Sequence, residues 1–493
     1  MVPRTTRDVL AATAATHPTT EAYVHGARRV TYAELERMSA GAAATLTTHG
    51  VGRGDVVVLM LPSGIDFAAW YLGALRIGAI TSAINQRLGE PERASILRRT
   101  APVVTVAADP ATIPAGPPTG AVVGPDAFAA AYAAPATAEP DLDATDAACI
   151  VWTSGTTGEP KGAVYDHARL AAISRNMGEL TADGDRRLVS LPFAHVGYMT
   201  RIWDELAHAT TLVLTGEPWS ATETLRLLRD ERITVGTGVP TQWELVLAHP
   251  DLAITDCSHL RICGIGGSAV APDLVRRMRE ALGCPVMNRY TSTEAGITTG
   301  TRLGDPDDVV AETVGRPATE LELRLVADDR DVPDGEVGEI LVRSRMVMAG
   351  YWQDPELTAT VLDADGWLHT GDLARRDERG DLRIVGRLKE MYIRGGYNVY
   401  PAEVEHVLTD HPLVERVAII GRPAPVIGEI GVAFVVPADP AEPPDLEALR
   451  SWCRDRIADY KAPERLVVVE ALPVTSMLKI DKRALAAMAE EHP

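Results

Sequence analysis

Thr153-Ser154-Gly155-Thr156-Thr157-Gly158-Glu159-Pro160-Lys161-Gly162 packs hydroxyl residues, glycines and one lysine into a single short stretch. The apolar run Cys149-Ile150-Val151-Trp152 leads into it, so a strand is expected to feed a small-residue loop. Such a loop gathers backbone N–H groups, hydroxyl donors and an ammonium around one point. A polyphosphate needs that, because its charge is met by many short donors. The spacing is not that of a P-loop: Gly155 to Lys161 is wrong for G-x-x-x-x-G-K-[ST], and Gly162 follows the lysine where Ser or Thr belongs. Taken alone, the stretch also fits an ordinary flexible turn.

Outward from this loop, short apolar runs alternate with helical patterns. Residues 31–100 carry runs such as Val56-Val57-Val58-Leu59-Met60, and residues 186–289 carry Thr211-Leu212-Val213-Leu214 and Ile233-Thr234-Val235-Gly236. This alternation predicts parallel sheets covered by helices, an α/β architecture. The Ala- and Pro-rich segment 101–148 reads as a loop-rich connection. Beyond Glu320 the pattern turns strand-rich, with turns such as Pro333-Asp334-Gly335, and predicts a small β unit. The segment after Lys389 mixes helices and strands and is long enough for a separate α+β domain.

Length and charge set outer bounds. A chain of 493 residues exceeds what one core organises. A hydrophobic content of 46% and a charged content of 24% are ordinary for a water-soluble globular protein. The formal net charge of −20 argues against nucleic acid as a partner. Five scattered cysteines lack metal-ligand or disulfide spacing. The start of the chain has no secretory pattern, and no apolar run is long enough to span a bilayer. A cytoplasmic enzyme without stable membrane insertion is the expectation.

Further motifs follow the loop in order. They are Leu191-Pro192-Phe193-Ala194-His195, Gly266-Gly267-Ser268-Ala269, Tyr290-Thr291-Ser292-Thr293-Glu294, Thr370-Gly371-Asp372, Gly386-Arg387-Leu388-Lys389-Glu390 and Leu472 to Ile480 with Lys479 near its end. Together, from about Thr31 to the C-terminal lysines, the chain resembles the adenylate-forming superfamily of acyl-CoA synthetases, carrier-protein adenylation domains and luciferase.

The resemblance implies a two-step reaction. A small-molecule carboxylic acid attacks the α-phosphorus of ATP to give acyl-AMP, and a thiol then takes the acyl group. Mg²⁺ travels with ATP, and CoA or an acyl carrier protein supplies the thiol; a rarer branch of similar proteins uses ATP and nitrite to diazotise aryl amines. In these terms Lys479 is the catalytic lysine bridging carboxylate and α-phosphate, and Glu294 the Mg²⁺ ligand with Thr293 beside it. Thr153, Ser154, Gly155, Thr156, Thr157, Gly158 and Lys161 face the phosphates. Gly267, Ser268, Tyr290 and Thr291 lie along the nucleotide, Asp372 takes the ribose hydroxyls, and Arg387 adds a contact. His195, Val196, Tyr198, Met199, Gly266 and Thr291 are expected around the acyl group, with His195 also closing the site. Lys389 is the implied hinge between an N-terminal domain, 1–388, and a mobile C-terminal domain, 389–493. Gly395 and Gly396 are implied at the thiol channel.

Several positions depart from the pattern. Leu478 stands before the lysine where glycine is usual, and Thr291 replaces a glycine near the inner acyl pocket. Val196 offers no hydrogen bond to an ortho-hydroxyl, and Ala194 stands where amino-acid-activating relatives hold an aspartate for the α-ammonium. An unpaired ammonium in an apolar pocket is costly, so an apolar or aryl acid is expected. Acidic residues outnumber basic ones after Lys389, which leaves the thiol donor open.

Overall fold

The computed structural model describes residues 3–154, 159–268, 270–475 and 480–491. Local chemistry starts many of its helices. Thr31 accepts from the Glu34 backbone N–H while the Glu34 carboxylate takes the Thr31 N–H, a reciprocal cap that opens the helix Tyr32–Thr48. That helix packs along Ile65–Arg76, a helix buried nearly throughout, as its almost unbroken apolar sequence demands.

Three sheets form the first and larger part of the molecule. The six-stranded sheet pairs Val56–Met60 in parallel with Ile80–Ala83 on one side and Val104–Ala107 on the other, and ends in the hairpin of Ala147–Ser154 with Pro160–Asp166. The segment expected to be loop-rich thus supplies two strands, Val104–Ala107 and Ala121–Val123, and the short helix Phe128–Ala133. Its β-branched and apolar triplets are short, but burial against Val56–Met60 outweighs the Pro-rich surroundings.

The nine-stranded sheet carries a parallel series. Val286–Ser292 pairs with Ile262–Gly266, then come Val235–Gly238, Arg186–Val189 and Thr211–Leu214. Their parallel alignment brings the C-terminal strand ends to one edge, where ligands of open α/β sheets bind. The motif after Val189, the glycines at 266–267 and the Tyr290 motif all lie on that edge. The third sheet holds Glu322–Ala327, Gly338–Arg343, Leu368–Arg376 and Leu382–Arg387, all antiparallel, matching the strand-rich pattern.

The chain leaves this sheet at Arg387 and enters a fourth at Tyr392. The fourth sheet, built on the long hairpin Val414–Ala424 with Gly428–Pro437, has cores drawn only from residues beyond 391. Gly395 and Gly396 both have positive φ, +56° and +87°, and join Tyr392–Arg394 to Tyr397–Val399 in a two-residue hairpin. That turn type requires positive φ at both central positions, which paired glycines supply without strain. No helix among the described residues is long and apolar enough to cross a membrane. All five cysteines are free thiols.

Candidate active site

Side chains from the three sheets of the larger part approach one another along this edge. Asp372 sits on the strand Leu368–Arg376 of the third sheet and is almost wholly buried. Its Oδ2 accepts from the Tyr290 hydroxyl at 2.5 Å, across to the nine-stranded sheet. Its Oδ1 pairs with Arg387 Nε at 2.9 Å, and the two residues face each other in strand register. The carboxylate is therefore clamped from two sides. Burial, then the neighbouring Asp372 charge, pushes the Tyr290 phenol far above its usual range, so it stays a donor. The Asp372 charge keeps Arg387 cationic against the pull of desolvation. Each carboxylate oxygen keeps further acceptor capacity, which a pair of ribose hydroxyls fits.

A second bridge joins the six-stranded and nine-stranded sheets. Lys161, on Pro160–Asp166, places its ammonium 5.5 Å from the centre of the Tyr351 ring. The Tyr351 hydroxyl donates to Glu294 Oε1 at 3.0 Å. Backbone contacts fix this arrangement: Ala349 N–H donates to Val164 O, Trp352 N–H to Gly162 O, and Met348 N–H to Glu294 O. The Tyr165 hydroxyl holds the Thr293 carbonyl at 2.6 Å. Lys161 and Glu294, the cation and anion suited to a Mg²⁺-polyphosphate, are thus held through one tyrosine. Among the described residues no cluster of three or more metal-ligating side chains occurs. A lone carboxylate fits Mg²⁺ that arrives on a triphosphate, since this ion keeps waters and takes few protein ligands.

His195 caps the short helix Val196–Met199, its Nδ1 accepting from Gly197 N–H at 3.2 Å. That acceptor role puts the proton of the neutral ring on Nε2. Gly266 pairs with Arg289, and a Cβ there would stand 2.4 Å from the Arg289 carbonyl, so only glycine fits. Gly267 and Ser268 are exposed at the strand end. Thr291 sits just past an irregularity in the pairing with Gly296–Gly300, partly open. Val196 is half-buried beside His195. Tyr198 and Met199, expected around the acyl group, are buried in the core. Tyr198 stacks on Phe193 with centroids 3.5 Å apart and bonds the Tyr23 hydroxyl at 2.8 Å, while Met199 is fully covered. Their helical spacing carried them inward, behind the residues that face the strand edge. A shallow cleft opens beside Leu191 and Pro192, toward Trp219 and Gln242.

Thr153 is described at the end of Ala147–Ser154, in register with Lys161. Gly155, Thr156, Thr157, Gly158 and Lys479 lie outside the described residues, as does the Ser154 side chain. Lys389 is exposed in the turn leaving Arg387, where Leu388 N–H donates to Gly371 O. Lys482, at the start of the helix Lys482–Glu491, reaches Glu390 and Glu405, each at 3.0 Å, tying that helix to the turn. Sequence reasoning missed Tyr351. Its only signal is the aromatic pair of Gly350-Tyr351-Trp352, 190 residues from its partner on Lys161.

Asp372, Lys161 and Glu294, a clamped carboxylate, an ammonium and a lone second carboxylate, thus stand along one strand edge. The model of the AMP-binding enzyme family matches residues 10–352, and that of the AMP-binding enzyme C-terminal domain matches residues 403–479. The chain belongs to this family. It is 38% identical over 491 residues to the 3-[(3aS,4S,7aS)-7a-methyl-1,5-dioxo-octahydro-1H-inden-4-yl]propanoyl:CoA ligase of Mycobacterium tuberculosis, covering 93% of this chain and 94% of the relative. It is 36% identical over 485 residues to a feruloyl-CoA synthase of an Amycolatopsis species, covering 94% and 95%. Among solved structures, ATP-bound MatB from Rhodopseudomonas palustris superposes with a TM-score of 0.90 at 28% identity, covering 99% of both chains.

Proposed function

We propose that this protein is an acid–thiol ligase that converts an apolar or aryl carboxylic acid, with ATP, into its acyl-AMP and pyrophosphate, and then passes the acyl group to the thiol of CoA. The meeting of the Tyr290–Asp372–Arg387 clamp with the Lys161–Tyr351–Glu294 bridge carries this reading. It builds a ribose grip and a phosphate end on one strand edge. Relatives that activate a bicyclic propanoate and a ferulate, both with CoA, support CoA over a carrier protein or nitrite as the acceptor's partner class.

In the first step two anions approach each other, so fixed positive charge at the reacting centre dominates. Lys479 supplies it between carboxylate and α-phosphate, and Lys161 with the loop that precedes it holds the outer phosphates. Glu294 would hold the Mg²⁺ that arrives with ATP, and that ion would supply neutralisation of phosphate charge. Asp372 and Arg387 fix the ribose, and the Tyr290 ring offers a face to adenine. His195 borders the acyl site with Val196, Gly266 and Thr291. In the second step the small domain turns about Lys389 and brings the Gly395-Gly396 hairpin to the thiol's path. A cytoplasmic location follows from the need for ATP and CoA.

ATP–pyrophosphate exchange across a panel of carboxylic acids, without CoA, tests the first step; thioester formation on adding CoA tests the second. Exchange with an apolar or aryl acid followed by acyl-CoA is expected, and absence of acid-dependent exchange overturns the reading. Lys479→Ala is expected to lose on the order of 10²–10³ in adenylation rate while keeping transfer from supplied acyl-AMP.

A further inference from the structure

Behind the His195 segment lies a buried cluster that the proposed steps do not use. Arg187, on Arg186–Val189, is 1% exposed, Asp204 0% and Glu205 4%, with Arg201 and Arg289 beside them. Three guanidiniums gather around Asp204 and Glu205, with Glu179 acting on Arg289, where burial makes each charge costly. Arg187 donates from Nη2 to Leu180 O and Thr181 Oγ1, both at 2.9 Å, and stands 3.6 and 3.5 Å from Asp204 and Glu205. Arg289 donates to the Met177 carbonyl. Arg187 and Arg289 also leave nitrogens without an acceptor, but each makes at least one side-chain hydrogen bond. The Arg201 side chain makes none among the described residues: its Nε and Nη2 are enclosed, and its nearest carboxylate oxygen, on Asp204, is 3.9 Å away.

Arg201 also lies on the segment that follows His195, one turn after Gly197. Residues 196–207 run as two short helices, Val196–Met199 and Ile202–Ala207, joined through Thr200 and Arg201 in helical backbone. Gly197 and Arg201 are one turn apart and share a face. Both are partly open, as is His195, whereas Tyr198, Met199, Thr200, Ile202 and Trp203 between and after them are buried. Gly197 has no side chain to cover Arg201, and space exists above it: a Cβ there would meet nothing closer than 3.4 Å. The Arg201 side chain keeps 15% exposure amid these buried neighbours, so it borders an opening. Burial and the neighbouring Arg187 lower its affinity for the proton, to a pKa of about 9, which an acceptor oxygen would restore.

We propose that Arg201 is a specificity-determining residue that donates to an acceptor oxygen, a ketone or second carboxylate, on the part of the acid remote from the reacting carboxyl. The acid is then an apolar frame with one polar end. This inference rests on the ligase reading and narrows its substrate class. A buried donor built for an oxygen discriminates strongly against the analogue that lacks it, because the donor is left unpaired.

The test compares matched acids in ATP–pyrophosphate exchange: a cycloalkyl propanoate, its ring-ketone analogue and its ring-carboxylate analogue. Each is run with the wild-type protein, Arg201→Met and Arg201→Lys. The wild-type protein is expected to favour at least one oxygen-bearing acid by roughly tenfold or more in kcat/KM, seen mainly in KM. The ketone and carboxylate arms show which oxygen it takes. Arg201→Met is expected to bring that ratio close to one, and Arg201→Lys to keep part of it. Equal or better use of the plain hydrocarbon acid by the wild-type protein overturns the proposal while leaving the ligase reading intact. So does an unchanged ratio in Arg201→Met. The wild-type comparison decides even where a variant fails to fold.

Discussion

The Tyr290 hydroxyl stands 2.5 Å from Asp372 Oδ2, joining two sheets through one charge-assisted hydrogen bond. The same carboxylate holds Arg387 from its other oxygen. The carboxylate is thus held from both oxygens, and on the proposed reading the tyrosine would serve twice, its ring for adenine and its hydroxyl for Asp372.

Tyr290→Phe keeps the ring and deletes the hydroxyl. Hydrogen bonds to charged groups contribute about 1.5–3 kcal/mol, so KM for ATP is expected to rise on the order of tenfold with kcat little changed. Initial-rate kinetics over a range of ATP concentrations measure this. An unmoved KM would show that the clamp does not serve the nucleotide.

Tyr351→Phe removes the donor to Glu294 but leaves the ring under Lys161. Adenylation is expected to fall roughly tenfold, from misplacement of the carboxylate beside the phosphates. Tyr351→Leu, which also removes the ring, is expected to fall further. Thioester formation from supplied acyl-AMP should be unaffected in both. Equal exchange rates in wild type and Tyr351→Phe would remove the hydroxyl from the mechanism.

Thr291→Gly places at this position the glycine that the family resemblance implies. The change is expected to extend acceptance toward bulkier acids, gaining at most ~0.8 kcal/mol per newly buried methylene. Exchange assays on a homologous acid series read the profile, and an unaltered profile sinks the assignment of Thr291 to the acyl wall.

Lys389→Pro would fix φ in the turn between Arg387 and Tyr392 and remove a backbone donor. Adenylation is expected to persist and thioester formation to be lost. Wild-type overall turnover in this variant would put the pivot elsewhere.

His167 gives the protein an acid sensitivity. It is fully buried at the start of His167–Arg175, and its Nδ1 accepts from the Thr6 backbone N–H at 3.3 Å. Burial lowers its pKa from 6.5 to about 4. The ring is neutral in the fold, so its contribution is fully present above pH 6.5 and is lost as pH falls from there through 4. The loss amounts to on the order of 3 kcal/mol. Thermal unfolding at a series of pH values should show this slope, and His167→Gln should flatten it between pH 6.5 and 4. An identical slope in the variant would assign the acid sensitivity to other groups.

Much of this site was readable in the chain because each motif sits where a strand ends. Apolar β-branched runs fix the strands, and small or charged residues just after them can only be loop. The Thr31–Glu34 cap and the Gly395-Gly396 turn are local and needed no tertiary information. Tyr351 was invisible because its partners lie on other sheets, at Lys161 and Glu294. Tyr198 and Met199 misled for a different reason: helical spacing groups residues by face but does not say which face meets the core. Arg187, Arg201 and Arg289 are far apart in sequence, and only the parallel order of the strands and the packed helix bring them together.

Three separately built sheets each lend side chains to the proposed nucleotide site, so occupancy of that site would report on the integrity of the whole larger part of the molecule. A chain in which any one sheet is unformed lacks either the ribose clamp or the phosphate bridge. ATP bound there would act as a ligature between layers, raising the free energy of opening any of them by RT ln(1 + [L]/Kd). Core substitutions far from the site, in any of the three sheets, should register first as weakened nucleotide affinity and only later as loss of the fold.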